Sequence, residues 1–305
     1  MAEGNKKTVY AALIGNLLIA VTKLVAAALG GSSAMLSEGV HSLVDTGNEI
    51  LLLYGMRQSR KPADARFPFG RGKEVYFWSF VVALMVFALG AGVSLYEGVH
   101  HLRHPTPVED VTLNYIVIGL ALLFEGGSWF FAIKQFRKQR HGRSYIDAIR
   151  HGKDPTVFTV VLEDSAALLG LLVALAGIAL GQLTGNPVYD GVASVVIGLI
   201  LAAVAVWLAK ESKGLLIGES ANREVVEAIR ALIESNFQVD QVNEILSMHV
   251  GPDYILVNIS LHVAPEFDRA NVHQLFNDID QSIKERFPKV KRVFIESHTT
   301  PAPAA

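Results

Sequence analysis

The chain has no cysteine, which removes disulfides and thiolate metal sites and leaves His, Asp and Glu as its strong metal ligands. It also lacks an ATP-binding P-loop, a redox centre and any hydrolytic constellation, so nothing in it supports a primary pump or an enzyme. Neither sign of charge dominates: 27 Lys and Arg face 29 Asp and Glu, and a net charge of −2 says little about partners; no nucleic-acid partner is expected. The start, Met-Ala-Glu-Gly-Asn-Lys-Lys, enters an apolar stretch with no small-residue cleavage site after a short core, so a retained first helix is expected, not a signal peptide. Low complexity is confined to a Pro/Ala tail at 301–305.

Apolar residues, by contrast, make up 51% of the chain and concentrate before residue 210. Six stretches, roughly 9–29, 34–56, 76–100, 111–133, 156–181 and 188–209, approach or exceed the ~20 residues that cross a bilayer. Cytoplasmic loops carry Lys and Arg. Arg57, Arg60, Lys61, Arg66, Arg71 and Lys73 lie between the second and third stretches, and Lys134, Arg137, Lys138, Arg140, Arg143, Arg150 and Lys153 between the fourth and fifth. The opposite loops hold only Arg103, so both termini are expected in the cytoplasm. This reading gives a six-span transmembrane domain over 1–210 and a cytosolic domain over 211–305, in a membrane expected to be a bacterial inner membrane.

The most informative segment lies in the second span, His41-Ser-Leu-Val-Asp45-Thr-Gly-Asn48. Spacing of four places His41 and Asp45 on one helical face, with Asn48 a further turn along. Ionisable groups at membrane depth mark ion pathways, and an imidazole one turn from a carboxylate suits Zn²⁺ and its first-row neighbours. The plainer alternative is a polar patch that joins two helices. Asp164 in span five is the third candidate ligand. A zinc site wants about four donors, so Glu163, Asn48 or Glu125 in span four is a candidate for the fourth, or for a proton carrier. Gly126, Gly127 and Ser128 would let a neighbouring helix approach Glu125 closely. Glu163 and Asp164 point roughly 100° apart, so one should bind the ion and the other a different partner. Lys23 in span one, on the face of Asn16, is the candidate counter-ion for Glu163, or else snorkels to an interface. Two carboxylates balance a divalent cation, and once emptied they repel, so protons should replace the metal. His41 can carry a proton or a metal within the physiological range.

After residue 210 the pattern becomes mixed. A helix is expected over 221–236 with Ser220 as N-cap, then strands from Val242 to His249 and Tyr254 to Val263 joined by a Gly251-Pro252-Asp253 turn. A helix from Arg269 to Phe287 and a strand from Lys291 to Ser297 complete an αββαβ, ferredoxin-like α+β domain.

Over nearly its full length the chain resembles the cation diffusion facilitator family of metal-ion/proton antiporters. The resemblance rests on the span-two motif, the loop Phe67-Pro-Phe-Gly70-Arg-Gly72-Lys73-Glu74, Asp164, Asp190 opening span six, and the αββαβ tail. It implies a homodimer in a lipid bilayer, with Zn²⁺ and protons as substrates. It also implies a cytosolic metal site, for which His273, Glu296 and His298 occupy comparable positions and His249 and His262 are further candidates. A charge interlock is implied at Lys73, for which Glu219 is the substitute acid because Ile217 stands where the usual one aligns. Two departures stand out. Val160 occupies the position four before Asp164 where the family has a His, and Phe67 and Arg71 replace the histidines of a loop metal site of which only Asp64 remains, so that loop site is expected to be absent. On the far side, His100, His101 and His104 crowd the loop after span three and are expected to form an interfacial polar cluster.

Together these readings predict export of a divalent transition metal, Zn²⁺ first, by proton exchange and alternating access. Losing the span-five His while gaining Glu163 raises Mn²⁺, Fe²⁺ or Co²⁺ as alternatives. A membrane metal sensor that does not transport is the competing class.

Overall fold

In a computed structural model, residues 3–108, 110–139, 152, 155–263 and 269–298 are described. Of the loop cations named above, Arg140, Arg143, Arg150 and Lys153 lie outside the described residues, as does the tail at 301–305.

The six apolar stretches fall on helices α1 (Glu3–Gly30), α2 (Ser33–Ser59), α3 (Glu74–Arg103), α4 (Val111–Gln139), α5 (Pro155–Thr184) and α6 (Val188–Ile217). Five of them contain windows long and apolar enough to cross a membrane, and α2 is the exception. It carries Glu38, Asp45, Glu49 and Arg57, whose polarity lowers its hydropathy below that of its neighbours. Large apolar side chains are turned outward along this unit, among them Leu18, Leu123, Phe131 and Leu183. Such a surface would aggregate in water and is suited to lipid. Inside, small residues bring α3 and α6 together. A Cβ on Gly98 would strike the Val195 backbone, one on Gly198 would strike Leu95, and Ser194 Oγ donates to the Ser94 carbonyl at 2.9 Å. A π-helical turn, Val86–Ala91, interrupts α3 midway.

The chain divides into two compact units: residues 1–57 with 77–213, and residues 58–76 with those from 214 onward. In the second unit, α7 (Arg223–Asn236) and α8 (Arg269–Arg286) accompany a three-stranded sheet of β1 (Gln241–Gly251), β2 (Tyr254–His262) and β3 (Val290–His298), in spatial order β1-β2-β3. Alternate residues of β2, from Ile255 through Val257 and Ile259 to Leu261, are buried against Ile229 and Ile233 of α7 and Ile279 and Ile283 of α8. Period two on the strand thus meets spacing of four on the helices.

Two expectations need correction here. β1–β2 pair antiparallel but β2–β3 pair directly in parallel, so the ferredoxin-like description holds only for the element order. In a ferredoxin-like split βαβ another strand lies between that pair. The N-cap of α7 is Asn222, not Ser220, because Ser220 Oγ is engaged with Ser247 Oγ at 2.7 Å and the Asn222 carbonyl accepts from Val225 N at 2.8 Å.

The stretch 58–76 belongs to the compact unit of the C-terminal domain. A Cβ on Gly72 would run into the Val250 carbonyl, so glycine is required where the loop meets the β1 end. Within the loop, Asp64 Oδ1 accepts from the amides of Arg66 (2.9 Å) and Phe67 (2.8 Å), and its Oδ2 accepts from Arg71 Nη2 at 3.0 Å. The Arg71 guanidinium lies 4.3 Å from the Phe67 ring centroid. The two residues that depart from the family's histidines therefore stack on each other and tie down Asp64.

A candidate ion site on α2, α4 and α5

The site begins with how α2 is anchored. Asp190, at the start of α6, receives Ser32 Oγ at 2.6 Å and the amides of Ser33 (2.5 Å) and Ala34 (3.3 Å), so a carboxylate sits at the N-terminus of α2, where the helix dipole favours it. His101 is buried with Nε2 3.9 Å from Asp190 Oδ2, whereas His100 and His104 face each other with ring centroids 5.1 Å apart. Of the three histidines expected as an interfacial cluster, His101 thus packs inward.

Two turns into α2, His41 is fully buried and its Nδ1 lies 3.4 Å from Asp45 Oδ1. Asp45 opens onto a cavity of about 200 Å³. Five carboxylates line that cavity: Asp45 and Glu49 from α2, Glu125 from α4, and Glu163 and Asp164 from α5. Five acids around one cavity among apolar helices are costly unless cations or protons meet them. His41 lies behind the cavity wall. Among the described residues no three His, Asp or Glu side chains converge tightly enough to hold a metal ion, so the donors line the cavity without closing a coordination sphere.

Glu163 and Asp164 both face the cavity, each with its own partner. Asn48 Nδ2 donates to Glu163 Oε1 at 2.9 Å, and Ser128 Oγ donates to Asp164 Oδ2 at 3.2 Å. Trp129 Nε1 donates to Ser165 Oγ at 2.9 Å and fastens α4 to α5 beside them. Gly126 and Gly127 do not serve the close packing expected of them, since a Cβ on either would meet nothing within 4 Å among the described residues. Val160 lines the same cavity, so the position without a His faces the space shared by Asp45 and Asp164.

Lys23 is not the counter-ion of Glu163, and it does not snorkel. It is fully buried, with Nζ 2.6 Å from Glu125 Oε1, 2.9 Å from Ser42 Oγ and 3.2 Å from Glu38 Oε2. Asn48 occupies the Glu163 oxygen instead. Asn16 donates to Glu49 Oε1 at 2.7 Å. Neither Glu38 nor Glu49 was singled out from the sequence. The signal was present, because Glu38, Ser42, Asp45 and Glu49 recur at spacings of four, three and four along one helical stripe.

In the C-terminal domain, His249 is buried on β1, and His262 Nδ1 lies 3.1 Å from Asp240 Oδ2. His273 on α8 and Glu296 on β3 are exposed, and His298 pairs with His262 in the β2–β3 register. Lys73 Nζ lies 3.8 Å from Met248 Sδ and against Gly218, next to Glu219, whose carbonyl accepts from His249 N at 3.0 Å.

Sequence comparison decides the family. A profile of the cation efflux transmembrane domain matches residues 9–217, and one of the cation efflux protein cytoplasmic domain matches residues 221–297. The chain belongs to the cation diffusion facilitator family. Members of this family are integral membrane transporters, not enzymes. The chain is 34% identical over 252 residues to metal tolerance protein C4 of Arabidopsis thaliana, covering 82% of this chain and 55% of that protein. It is 30% identical over 305 residues to the human mitochondrial proton-coupled zinc antiporter SLC30A9, covering 97% and 53%. It therefore spans about half the length of these relatives. Against the manganese efflux system protein MneP of Bacillus subtilis the identity is 24% over 301 residues, covering 97% and 96%.

Proposed function

We propose that this chain is a secondary transporter that exports a divalent transition metal, Zn²⁺ foremost, in exchange for protons by alternating access. The observation that carries the reading is the cavity lined by both Asp45 and Asp164, with His41 one turn from Asp45. His41, Asp45 and Asp164 are the proposed ligands, and Glu163 joins when Asn48 releases it. Two carboxylates neutralise a divalent ion, and protons take its place when it leaves. In this reading α2 is a sixth span despite its polarity, the boundary near residue 210 separates membrane and cytosolic domains, both termini are cytoplasmic, and two copies pair. The location is a membrane with a proton gradient, such as a bacterial inner membrane. The relatives named for proton-coupled zinc and manganese transport support the substrate class.

Mn²⁺ is the second reading. The cavity wall presents oxygen donors, with Val160 where an imidazole would be and His41 set behind, and oxygen-rich sites favour harder cations.

Proteoliposomes with an imposed pH gradient test both readings. Zn²⁺ accumulation driven by the gradient and lost in Asp45→Asn and Asp164→Asn is expected. Binding without accumulation would make the protein a sensor, and transport indifferent to the gradient would remove the proton coupling.

A further inference from the structure

Among the described residues of the membrane unit, Lys23 and Glu38 are fully buried charges outside the proposed ligand set. The three ammonium protons of Lys23 face three oxygens: Glu125 Oε1 at 2.6 Å, Ser42 Oγ at 2.9 Å and Glu38 Oε2 at 3.2 Å. Lys23 and Glu38 are fully buried, and Glu125 keeps 17% of its side chain accessible. One ammonium meets two carboxylates, and the second oxygens, Glu38 Oε1 and Glu125 Oε2, are buried with no hydrogen-bond partner among the described residues. The pocket thus offers five oxygens, more than the lysine uses. Its shape is specific too: a Cβ on Gly170 of α5 would collide with Glu38 Oε1, so that position is kept bare for the carboxylate.

We propose that Lys23 is a tethered cation filling a second cation site, built from Glu38, Ser42 and Glu125 at the edge of the ion cavity. This rests on reading the cavity as the ion path. Five oxygens and no nitrogen make a hard-cation donor set, of the kind that takes Mn²⁺, Mg²⁺ or Ca²⁺. Ser42 and Glu125 line the same cavity as Asp45 and Asp164, so without the ammonium a second divalent ion would be drawn into the path. With it, Glu125 is neutralised. The cavity then holds a single exchangeable metal, bound weakly enough to leave.

The test uses the full chain in detergent, with Mn²⁺ as probe counted by equilibrium dialysis and electron paramagnetic resonance. An Asp45→Asn/Asp164→Asn background removes the proposed transport ligands and should bind no Mn²⁺. Adding Lys23→Met should restore binding of about one Mn²⁺ per protomer, a number set by one oxygen-lined pocket, and a further Glu38→Gln should abolish it. A Lys23→Met protein with native helical circular dichroism and native elution that binds no Mn²⁺ would overturn the proposal. If that variant does not fold, Lys23→Ala is purified in ammonium chloride and in tetramethylammonium chloride. Recovery and a higher Tm only in ammonium support the site, and equal behaviour in both salts refutes it. Failure of the transport reading would appear separately, as an unmodified protein that neither binds nor moves Zn²⁺ or Mn²⁺.

Discussion

Asn48 and Glu163 join α2 to α5 through a buried hydrogen bond of 2.9 Å, Nδ2 to Oε1. The bond explains how two adjacent acids, Glu163 and Asp164, share a cavity wall. Asn48 engages the first and leaves the second to a longer bond from Ser128. Asn48→Ala leaves Glu163 buried and without that donor, which should cost about 1–3 kcal/mol of stability. The measurement is thermal unfolding in detergent, with Asn48→Asp, which sets two acids face to face, melting lower still. A melting temperature unchanged in both variants would show that the bond does not form in the purified protein.

Asp190 is the anchor for the start of α2. The loss of a side-chain cap costs about 0.5–2 kcal/mol, and the loss of its charge at a helix N-terminus a further 0.3–1 kcal/mol or so. Asp190→Asn should therefore destabilise less than Asp190→Ala. Hydrogen exchange at the amides of Ser33 and Ala34 should quicken in both. Metal affinity measured in detergent should stay close to that of the unmodified protein, because Asp190 does not line the cavity that holds Asp45 and Asp164.

Much of the secondary structure was legible because periodicity reports burial. The alternation from Ile255 to Leu261 marked β2, and the apolar stretches marked the helices. The polar side chains were harder, since their partners come from distant segments. Lys23 and Glu125 are 102 residues apart in sequence, and nothing local distinguishes Glu125 from Glu163 as the acid Lys23 would meet. Glu38 and Glu49 were missed for a different reason. The chelating pair His41 and Asp45 with Asn48 dominates the local pattern, although the stripe through Asp45 extends two turns back to Glu38 and one turn on to Glu49. Gly126 and Gly127 resembled a helix-packing pair, but small size permits close approach without compelling it.

The loop before α3 gives a pH prediction outside the membrane. The Arg71 hydrogen bond, and then the Phe67 amide, hold the Asp64 carboxyl below its ordinary 3.8. A carboxylate whose folded value is depressed stabilises the folded loop above its unfolded value, and that contribution disappears as the pH falls through the folded one. The loop should accordingly be intact at neutral pH and loosen only below about pH 4. Titration of the Asp64 carboxyl by carbon-detected NMR checks this. Arg71→Leu should return the midpoint upward toward the ordinary range, and an unchanged midpoint would mean that the guanidinium is not bound there.

Val160→His is the substitution that should change metal choice. Val160 lines the cavity one helical turn before Asp164, so an imidazole placed there would enter the same space as Asp45 and Asp164. Nitrogen ligands favour Zn²⁺, and four donors of mixed nitrogen and oxygen approach the tetrahedral set that zinc prefers, whereas Mn²⁺ is content with oxygen. The position is 37% exposed within the chain, and the larger ring has cavity space to occupy, so folding should survive the exchange. Zn²⁺ preference over Mn²⁺ should rise about tenfold, equivalent to about 1.4 kcal/mol. Competition between the two ions during gradient-driven uptake in vesicles reads this ratio directly. Val160→Asn, similar in polarity but a poor zinc ligand, is the control that should leave the ratio near that of the unmodified protein. If Val160→His leaves it unchanged while transport continues, the ion does not pass beside Asp164, and the ligand set proposed for this cavity is wrong.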